Sequence, residues 1–514
     1  MNNFSNPLRE YNQQNFWSKK RAMGLLAIIT VAGIILRLII TPFDIPTNFD
    51  AFGGFFLYAL DISILGHLPN YTLSQSGWGE FLSLFFMIFH SEQLIDFTNL
   101  QRIISVTISG VTVIPIYFIC RKFFSEGISL IGSLIFALEP RIILNSTLGI
   151  SEPLYILAIS LGILFFLNTN KKILYLSFSF IAWATIIRPE GQFWFFAFTL
   201  VYFIKFRKNS KDLIKFLFCL GIFLLILSPI VIHRMECCGD DAIFGRILAE
   251  IWQYQNNSVQ LDGNYTLNYG PNISDGIKLF IWAMIPIFLG LIPFGIILIF
   301  KNKNFFNSQL LIILLFLIFP ILYSVSIAPD TRYVLPIFPI LIVISLYVIQ
   351  FIGKKINNKK IFFGIIISLI LVSSTLFIQV QRNNYDYDRD AFLIASEIFP
   401  SLGGINKGTL VEAYMKQAEI QYQWPITKTD QKYREFNQMK RISIEEFNDI
   451  NDFINYGKNN GLTHLVVDDR MSNFLKDIYE NGENYRFLKT TYDSNDYEFY
   501  YKVKVFEIDF EKFD

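Results

Sequence analysis

The chain is built from long apolar runs that recur with short polar breaks between them. A helix needs about 20 mostly apolar residues to cross a bilayer, and eleven segments approach that length: roughly 22–40, 100–120, 127–144, 151–168, 172–187, 191–205, 213–232, 278–300, 308–327, 332–352 and 361–379. The first run begins beside Arg21 and continues for a full span, so it reads as an anchor and not a cleavable leader. One apolar run does not fit the series. "GWGEFLSLFFMIFH", residues 77–90, is too short to cross, and is expected to be an interfacial or re-entrant piece of the first outer loop.

Charge decides the orientation. With the N-terminus placed in the cytoplasm and sides alternating, the inner segments collect 19 of the 27 basic residues before position 380, and only Glu10, Glu126 and Asp212 among the acids. Basic loops face inward. Counting 77–90 as a span would put every later lysine cluster outside, so the run stays in the loop. Composition agrees: 53% hydrophobic residues, 54 phenylalanines and a mean hydropathy of +0.40 mark a multi-pass membrane protein.

The tail changes character. Residues 380–514 carry 17 basic and 24 acidic side chains, with helical "DAFLIASEIF" and "SIEEFNDINDFINYGKNNG" between strand-like "GTLVEAY", "THLVVDD" and "YEFYYKVKVFEID". The expected organisation is a transmembrane domain over 1–379, with outer loops at 41–99 and 233–277, followed by an extracytoplasmic α/β domain. "DYD" at 386–388 has the shape of a metal and sugar-nucleotide site but reads as charged linker. There is no phosphate-cradling glycine loop, and nothing points to nucleic acid. Cys120, Cys219, Cys237 and Cys238 make no disulfide framework; Cys237 and Cys238 can be read as a pair of bonded neighbours, but read better as two ordinary thiols. N-x-[ST] sequons fall at Asn70, Asn145, Asn256, Asn264 and Asn272.

Ionisable groups at membrane depth are costly and mark function by default. Here they gather at outer helix ends: Asp50 and Asp61 in the first loop, Glu139 and Arg141 in "EPR", Glu152 opening span four, Arg188 and Glu190 in "RPEG", "HRMECCGDD" after span seven, and Asp330, Arg332 and Tyr333 in "PDTRY". Asp50 suits either a helix cap or a general base raised in proton affinity by desolvation. Asp61 reads as the polar edge of an amphipathic helix. Arg332 and Arg188 suit a lipid-linked phosphate, because the guanidinium fork matches two oxygens at once; the competing reading pairs them with Asp330 and Glu190. Glu139 and Arg141 have a similar reading as a helix-end pair.

In order and sidedness these motifs, "EPR" with "SEPLYI", "RPEG" and "RYVLPIFP", resemble the GT-C superfamily of membrane glycosyltransferases, and within it the archaeal dolichyl-phosphate-mannose protein mannosyltransferase-like, or family-39-like, proteins. The resemblance covers residues 20–350 well and the tail more loosely. It implies a polytopic α-helical fold of about eleven spans with two juxtamembrane helices in the first loop. It also implies a polyprenyl-phosphate sugar as donor and inversion at the sugar carbon. The family's first-loop acid matches Asp50 and its second acid Glu152; this chain reads Asp50-Ala51 where protein mannosyltransferases often carry Asp-Glu.

The expectation is a single displacement onto a protein, lipid or glycan hydroxyl, with Asp50 as base and Arg332, with Arg188, on the leaving phosphate. No cofactor is required by the residues, and a divalent cation is left open. A lipid-linked sugar flippase is the alternative. It would place polar groups at mid-depth or broken helices in two matching halves. A scaffold would leave the outer acids and arginines without a role.

Overall fold

The computed structural model describes residues 18–48, 50–71, 73, 75–168, 173–206, 210–239, 241, 243, 260–261, 265–266, 274, 277–278, 286–301, 305–327, 330–381, 383–422, 424, 439–444, 447, 449–471 and 474–513. Most of the segment 233–277, with the sequons at Asn256, Asn264 and Asn272, therefore lies outside the described residues. The chain forms two compact units. One comprises residues 1–41, 54–85 and 101–378; the other comprises 42–53, 86–100 and 379–514. Two stretches of the first loop thus join the tail, although the sequence was expected to keep them with the spans.

The first unit is helical. It contains α1 (Lys19–Ile40), a π-helical turn (Ala51–Phe56) leading to α2 (Leu57–Leu65), α3 (Ser76–Phe86), α4 (Leu94–Val111), α5 (Val113–Cys120), α6 (Glu126–Leu138) and α7 (Pro140–Thr147), some of these shared at the unit boundary. Then follow α8 (Glu152–Phe166), α9 (Leu174–Ile187), α10 (Gly191–Phe206), α11 (Ser210–Cys238), α12 (Pro286–Lys301), α13 (Phe305–Ile327), a 3₁₀ turn (Thr331–Ile337), α14 (Phe338–Lys355) and α15 (Lys359–Gln381).

Each of the eleven expected segments contains helix among its described residues. Among the described residues, five helices are individually long and apolar enough to cross a bilayer, and α6 with α7 qualifies only as a pair bent by 45°. Exposed side chains such as Ile28, Ile39, Leu225, Ile232, Ile365 and Val372 give α1, α11 and α15 an apolar outer surface, as a lipid-facing helix requires.

The bend between α6 and α7 has an identifiable cause. Pro140 supplies no N–H and cannot continue the helix, so carbonyls at the end of α6 lose their intrahelical donors. The fully buried Arg37 of α1 donates to Ala137 O at 2.9 Å, and Ser374 of α15 donates to Leu138 O at 2.6 Å. The break is stitched from both sides and holds Glu139 and Arg141 at the corner.

Residues 77–90 open as α3, which packs against the unit with Trp78 fully buried and donating to Gly149 O at 2.8 Å. Glycine on both sides of that tryptophan makes this possible. A Cβ on Gly77 would meet the backbone of Ile186 and Ile187 at 2.8–2.9 Å, and one on Gly79 would meet the Tyr58 ring at 2.9 Å. Asp61, expected at a polar edge, is instead buried and accepts a hydrogen bond from Tyr71 at 2.6 Å. The sequon residue Asn145 is buried in α7.

The second unit holds α16 (Asn383–Ile398), α17 (Leu410–Tyr422), α18 (Ile450–Asn460) and α19 (Phe474–Asn481) with the larger of the tail's sheets. A short hairpin, β1 (Gln260–Leu261) with β2 (Tyr265–Thr266), precedes them in the chain. In the tail, β3 (Gly404–Asn406) and β4 (Lys440–Ile442) pair in parallel, while β5 (His464–Asp468), β6 (Leu488–Asp493) and β7 (Val503–Ile508) form an antiparallel sheet in the order β5-β7-β6.

Two apolar cores serve this unit, and Ile45 of the first loop belongs to one of them. Asp44 adds a pair with Arg389 at 3.2 Å and a hydrogen bond from Tyr385. Two expectations for the tail change. "GTLVEAY" is helix, not strand, because Thr409 accepts from Glu412 N at 3.1 Å and starts α17 with a Thr-x-x-Glu cap. "DYD" is no linker but part of α16, where Asp388 accepts from Tyr414.

Candidate functional site

Three helix ends in the first unit bring their charges to one cleft. Glu152 occupies the first turn of α8 with 1% of its surface exposed, where a carboxylate also complements the helix dipole. Arg188 caps the end of α9. Pro189 stops that helix, and the chain returns so tightly that a Cβ on Gly191 would meet Thr185 N at 2.6 Å. This return aims Arg188 and Glu190 the same way. Asp330 opens the 3₁₀ turn by accepting from Arg332 N at 2.8 Å, which fixes Arg332 and Tyr333 beside them.

The resulting network is dense. Arg188 reaches Glu152 at 2.5 Å and Glu190 at 2.9 Å, and sits 5.5 Å from the centre of the Tyr333 ring. Arg332 pairs with Asp330 at 2.5 Å and lies 4.0 Å from the same Glu152 oxygen that Arg188 holds. The pairings anticipated for both arginines are therefore present.

The two arginines differ in access. The Arg188 side chain is 8% exposed and that of Arg332 is 29% exposed, so Arg188 is a strut locking two glutamates and Arg332 faces the opening. Glu152 Oε2 is buried and accepts no hydrogen bond among the described residues. Such an orphan oxygen is an open acceptor in a site otherwise satisfied.

The cleft holds about 410 Å³ of open space, mouth included. Arg188, Glu190, Arg332 and Tyr333 form its polar side; Phe193, Trp194, Leu317, Pro320 and Ile321 form an apolar wall from α10 and α13. The sequence singled out the polar side and missed the wall, since apolar residues give no signal in a chain this greasy. Glu139 and Arg141 sit at the α6–α7 corner, with Arg141 over the Phe377 ring at 5.0 Å and within electrostatic reach of Glu139 and Asp330.

Asp50 and Asp61 do not line this cleft. Asp50 is an exposed residue of the second unit. It is not the cap of its helix: Asn48 accepts from Ala51 N at 3.0 Å and fills that position.

Another polar group in the first unit went unassigned from sequence. Buried Arg234 of α11 donates to Leu73 O at 2.5 Å and Ser76 Oγ at 2.6 Å, while His233 bonds Pro69 O at 3.0 Å. Together they tie α11 to the first loop. Nearby, burial pushes the Glu80 carboxyl up, against the opposing pull of Ser76 and Arg234. The signal was the run "HRMECC", quoted for its charges but given no role. Among the described residues no group of three or more His, Cys, Asp or Glu is arranged to hold a metal ion.

Comparison with known proteins bears on the fold and the family. Residues 80–233 match the family model described as dolichyl-phosphate-mannose-protein mannosyltransferase. The oligosaccharyltransferase of Archaeoglobus fulgidus in the apo form superposes with a TM-score of 0.58 at 10% identity, over 92% of this chain and 71% of that one. The same archaeal enzyme in complex with an inhibitory peptide and a dolichol-phosphate gives 0.53 at 10% identity, over 89% and 70%. ArnT from Cupriavidus metallidurans bound to undecaprenyl phosphate gives 0.57 at 10% identity, over 95% and 98%. No curated protein matches the chain. The chain therefore shares the fold of these proteins along nearly its whole length, and its residues 80–233 match the mannosyltransferase family model.

Proposed function

We propose that the protein transfers a sugar from a polyprenyl-phosphate donor to an acceptor hydroxyl at the outer face of the membrane, with inversion, and with Asp50 as general base, a role assigned from the family's first-loop acid and not from the lining of the cleft. The observation that carries this reading is the two-sided cleft. A charged floor beside an aromatic and aliphatic wall suits a headgroup joined to an isoprenoid chain, and two neighbours of the same fold hold lipid phosphates of that class.

Arg332, the more accessible guanidinium, takes the leaving phosphate; Arg188 fixes Glu152 and Glu190 around it. Glu152 Oε2 accepts a hydrogen bond from a substrate hydroxyl. Phosphate is already a good leaving group, so a base on the acceptor and a cation on the leaving oxygen suffice. The orientation follows the basic loops, with the N-terminus in the cytoplasm and the tail domain outside. A flippase would distribute charges along its path, and here Glu152, Arg188 and Asp330 sit at helix ends.

The test is a membrane-fraction assay with a radiolabelled polyprenyl-phosphate sugar. An enzyme moves label onto an acceptor, whereas a flippase or a scaffold does not. Asp50→Asn keeps shape and removes the base, so transfer should fall by about 10²–10⁴ fold; transfer near the full rate would sink the assignment of Asp50.

A further inference from the structure

The last turn of α11 carries two thiols that the transfer reaction does not use. Cys237 and Cys238 end the helix, and Gly239 follows at φ 72° with its N–H bonded to Met235 O at 3.2 Å. Both cysteines are free, Cys238 exposed and Cys237 partly exposed, and their sulfurs lie 2.7 Å apart. A helix sets neighbouring side chains about 100° apart around its axis. Sulfurs of adjacent cysteines meet only when both turn toward each other, as here. The Cys237 thiol also donates to Arg234 O at 3.7 Å, within the turn that anchors the first loop through His233 and Arg234. Cys120 and Cys219, by contrast, are buried.

We propose that Cys237 and Cys238 form a dithiol modification site, oxidised by a low-molecular-weight disulfide to a ring-closed disulfide. The exposed Cys238 thiolate attacks one sulfur of the reagent, forming a mixed disulfide and releasing the first thiolate. Cys237, its proton lost to water, then attacks the Cys238 sulfur and expels the second. One S–S bond breaks and one forms, and two electrons pass from the protein to the reagent. The two protons end on the two released thiols.

Closing the ring has a structural consequence. A disulfide holds its Cβ atoms about 3.5–4.5 Å apart, so the 237–238 peptide must leave helical geometry and the Gly239 N–H bond to Met235 is lost. The final turn then opens toward Arg234, and the tether of α11 to Leu73 and Ser76 loosens.

Full-length protein in detergent, equilibrated with glutathione buffers of rising oxidised fraction, quenched in acid, alkylated with N-ethylmaleimide and digested, tests this. The peptide holding residues 237–238 should lose two hydrogens and become refractory to alkylation, and dithiothreitol should restore both thiols. In Cys237→Ser the attacking thiol has no resolving partner, so Cys238 should keep a glutathione adduct. Hydrogen exchange of the amides at 236–239 should rise on oxidation. The proposal is overturned if both thiols alkylate fully at every ratio, or if the parent chain accumulates the glutathione adduct without closing the ring.

Discussion

Arg188 and Arg332 line one cleft, share one glutamate and carry the same charge, yet their surroundings separate them. Arg188 is enclosed and held by carboxylates on two sides, Glu152 at 2.5 Å and Glu190 at 2.9 Å. Arg332 has Asp330 at 2.5 Å and Glu152 at the 4.0 Å limit, with nearly a third of its side chain open. Charge at a site therefore does not by itself assign chemistry: the enclosed cation has more to lose by meeting substrate, and the more exposed one is within a ligand's reach. The surface pairs of the tail domain extend the comparison. Lys489 and Glu507 lie 3.4 Å apart at 75% and 49% exposure, and pairs of that kind contribute little because water solvates both partners in either state.

The largest effect should come from the enclosed arginine. Arg188→Met takes from the buried Glu152 its 2.5 Å partner and from the partly exposed Glu190 its 2.9 Å one, a change that costs about 3–5 kcal/mol; the variant should lose its folded yield in membranes, read by detergent-extraction gel filtration. A well-folded Arg188→Met would erase the distinction drawn between the two arginines. Arg332→Ala should leave extraction and gel filtration unchanged and lower sugar transfer by about 10²–10³ fold, the usual loss for one preorganised electrostatic donor.

Smaller effects probe the tail. Thr409→Ala removes the cap of α17 and should destabilise that helix by about 1 kcal/mol, seen as faster hydrogen exchange over 410–415. Lys489→Ala should change exchange in β6 and β7 by no more than the scatter of the measurement.

His464 supplies a pH dependence. Burial lowers its proton affinity, with Glu507 opposing. An unfolded chain then binds the proton more readily than the folded one, so the β5–β7 pair is most stable above the ordinary histidine value of about 6.5 and weakens as pH falls through it. The opening free energy of the Leu465–Val467 amides, taken from exchange corrected for its intrinsic pH dependence, should therefore fall on acidification, and His464→Gln should flatten that dependence.

The parts of this molecule that were legible in the sequence are those the membrane makes costly. Apolar segments and the lysine clusters between them follow from the bilayer, and Glu152, Arg188, Glu190, Asp330 and Arg332 stood out because few other reasons keep charge beside a span. The wall formed by Phe193, Trp194 and Leu317 was illegible, since each resembles dozens of lipid-facing neighbours until α10 and α13 are seen together. Asp61 misled because an acid on a helix edge and a buried acid bonded to a tyrosine look alike in one dimension. "GTLVEAY" misled because a short apolar run does not choose between strand and helix, although the Thr409-x-x-Glu412 cap was there to be read.

Photoaffinity labelling tests the account most directly. A polyprenyl phosphate bearing a photoreactive group on its first isoprene units, crosslinked to the full-length protein in membranes and mapped by mass spectrometry, should mark residues 193–194 and 317–321. Arg332→Ala should reduce that labelling at least tenfold while Lys489→Ala leaves it intact. Labelling elsewhere on the chain, or labelling of the cleft indifferent to Arg332, would contradict the assignment of this cleft to the lipid-linked donor.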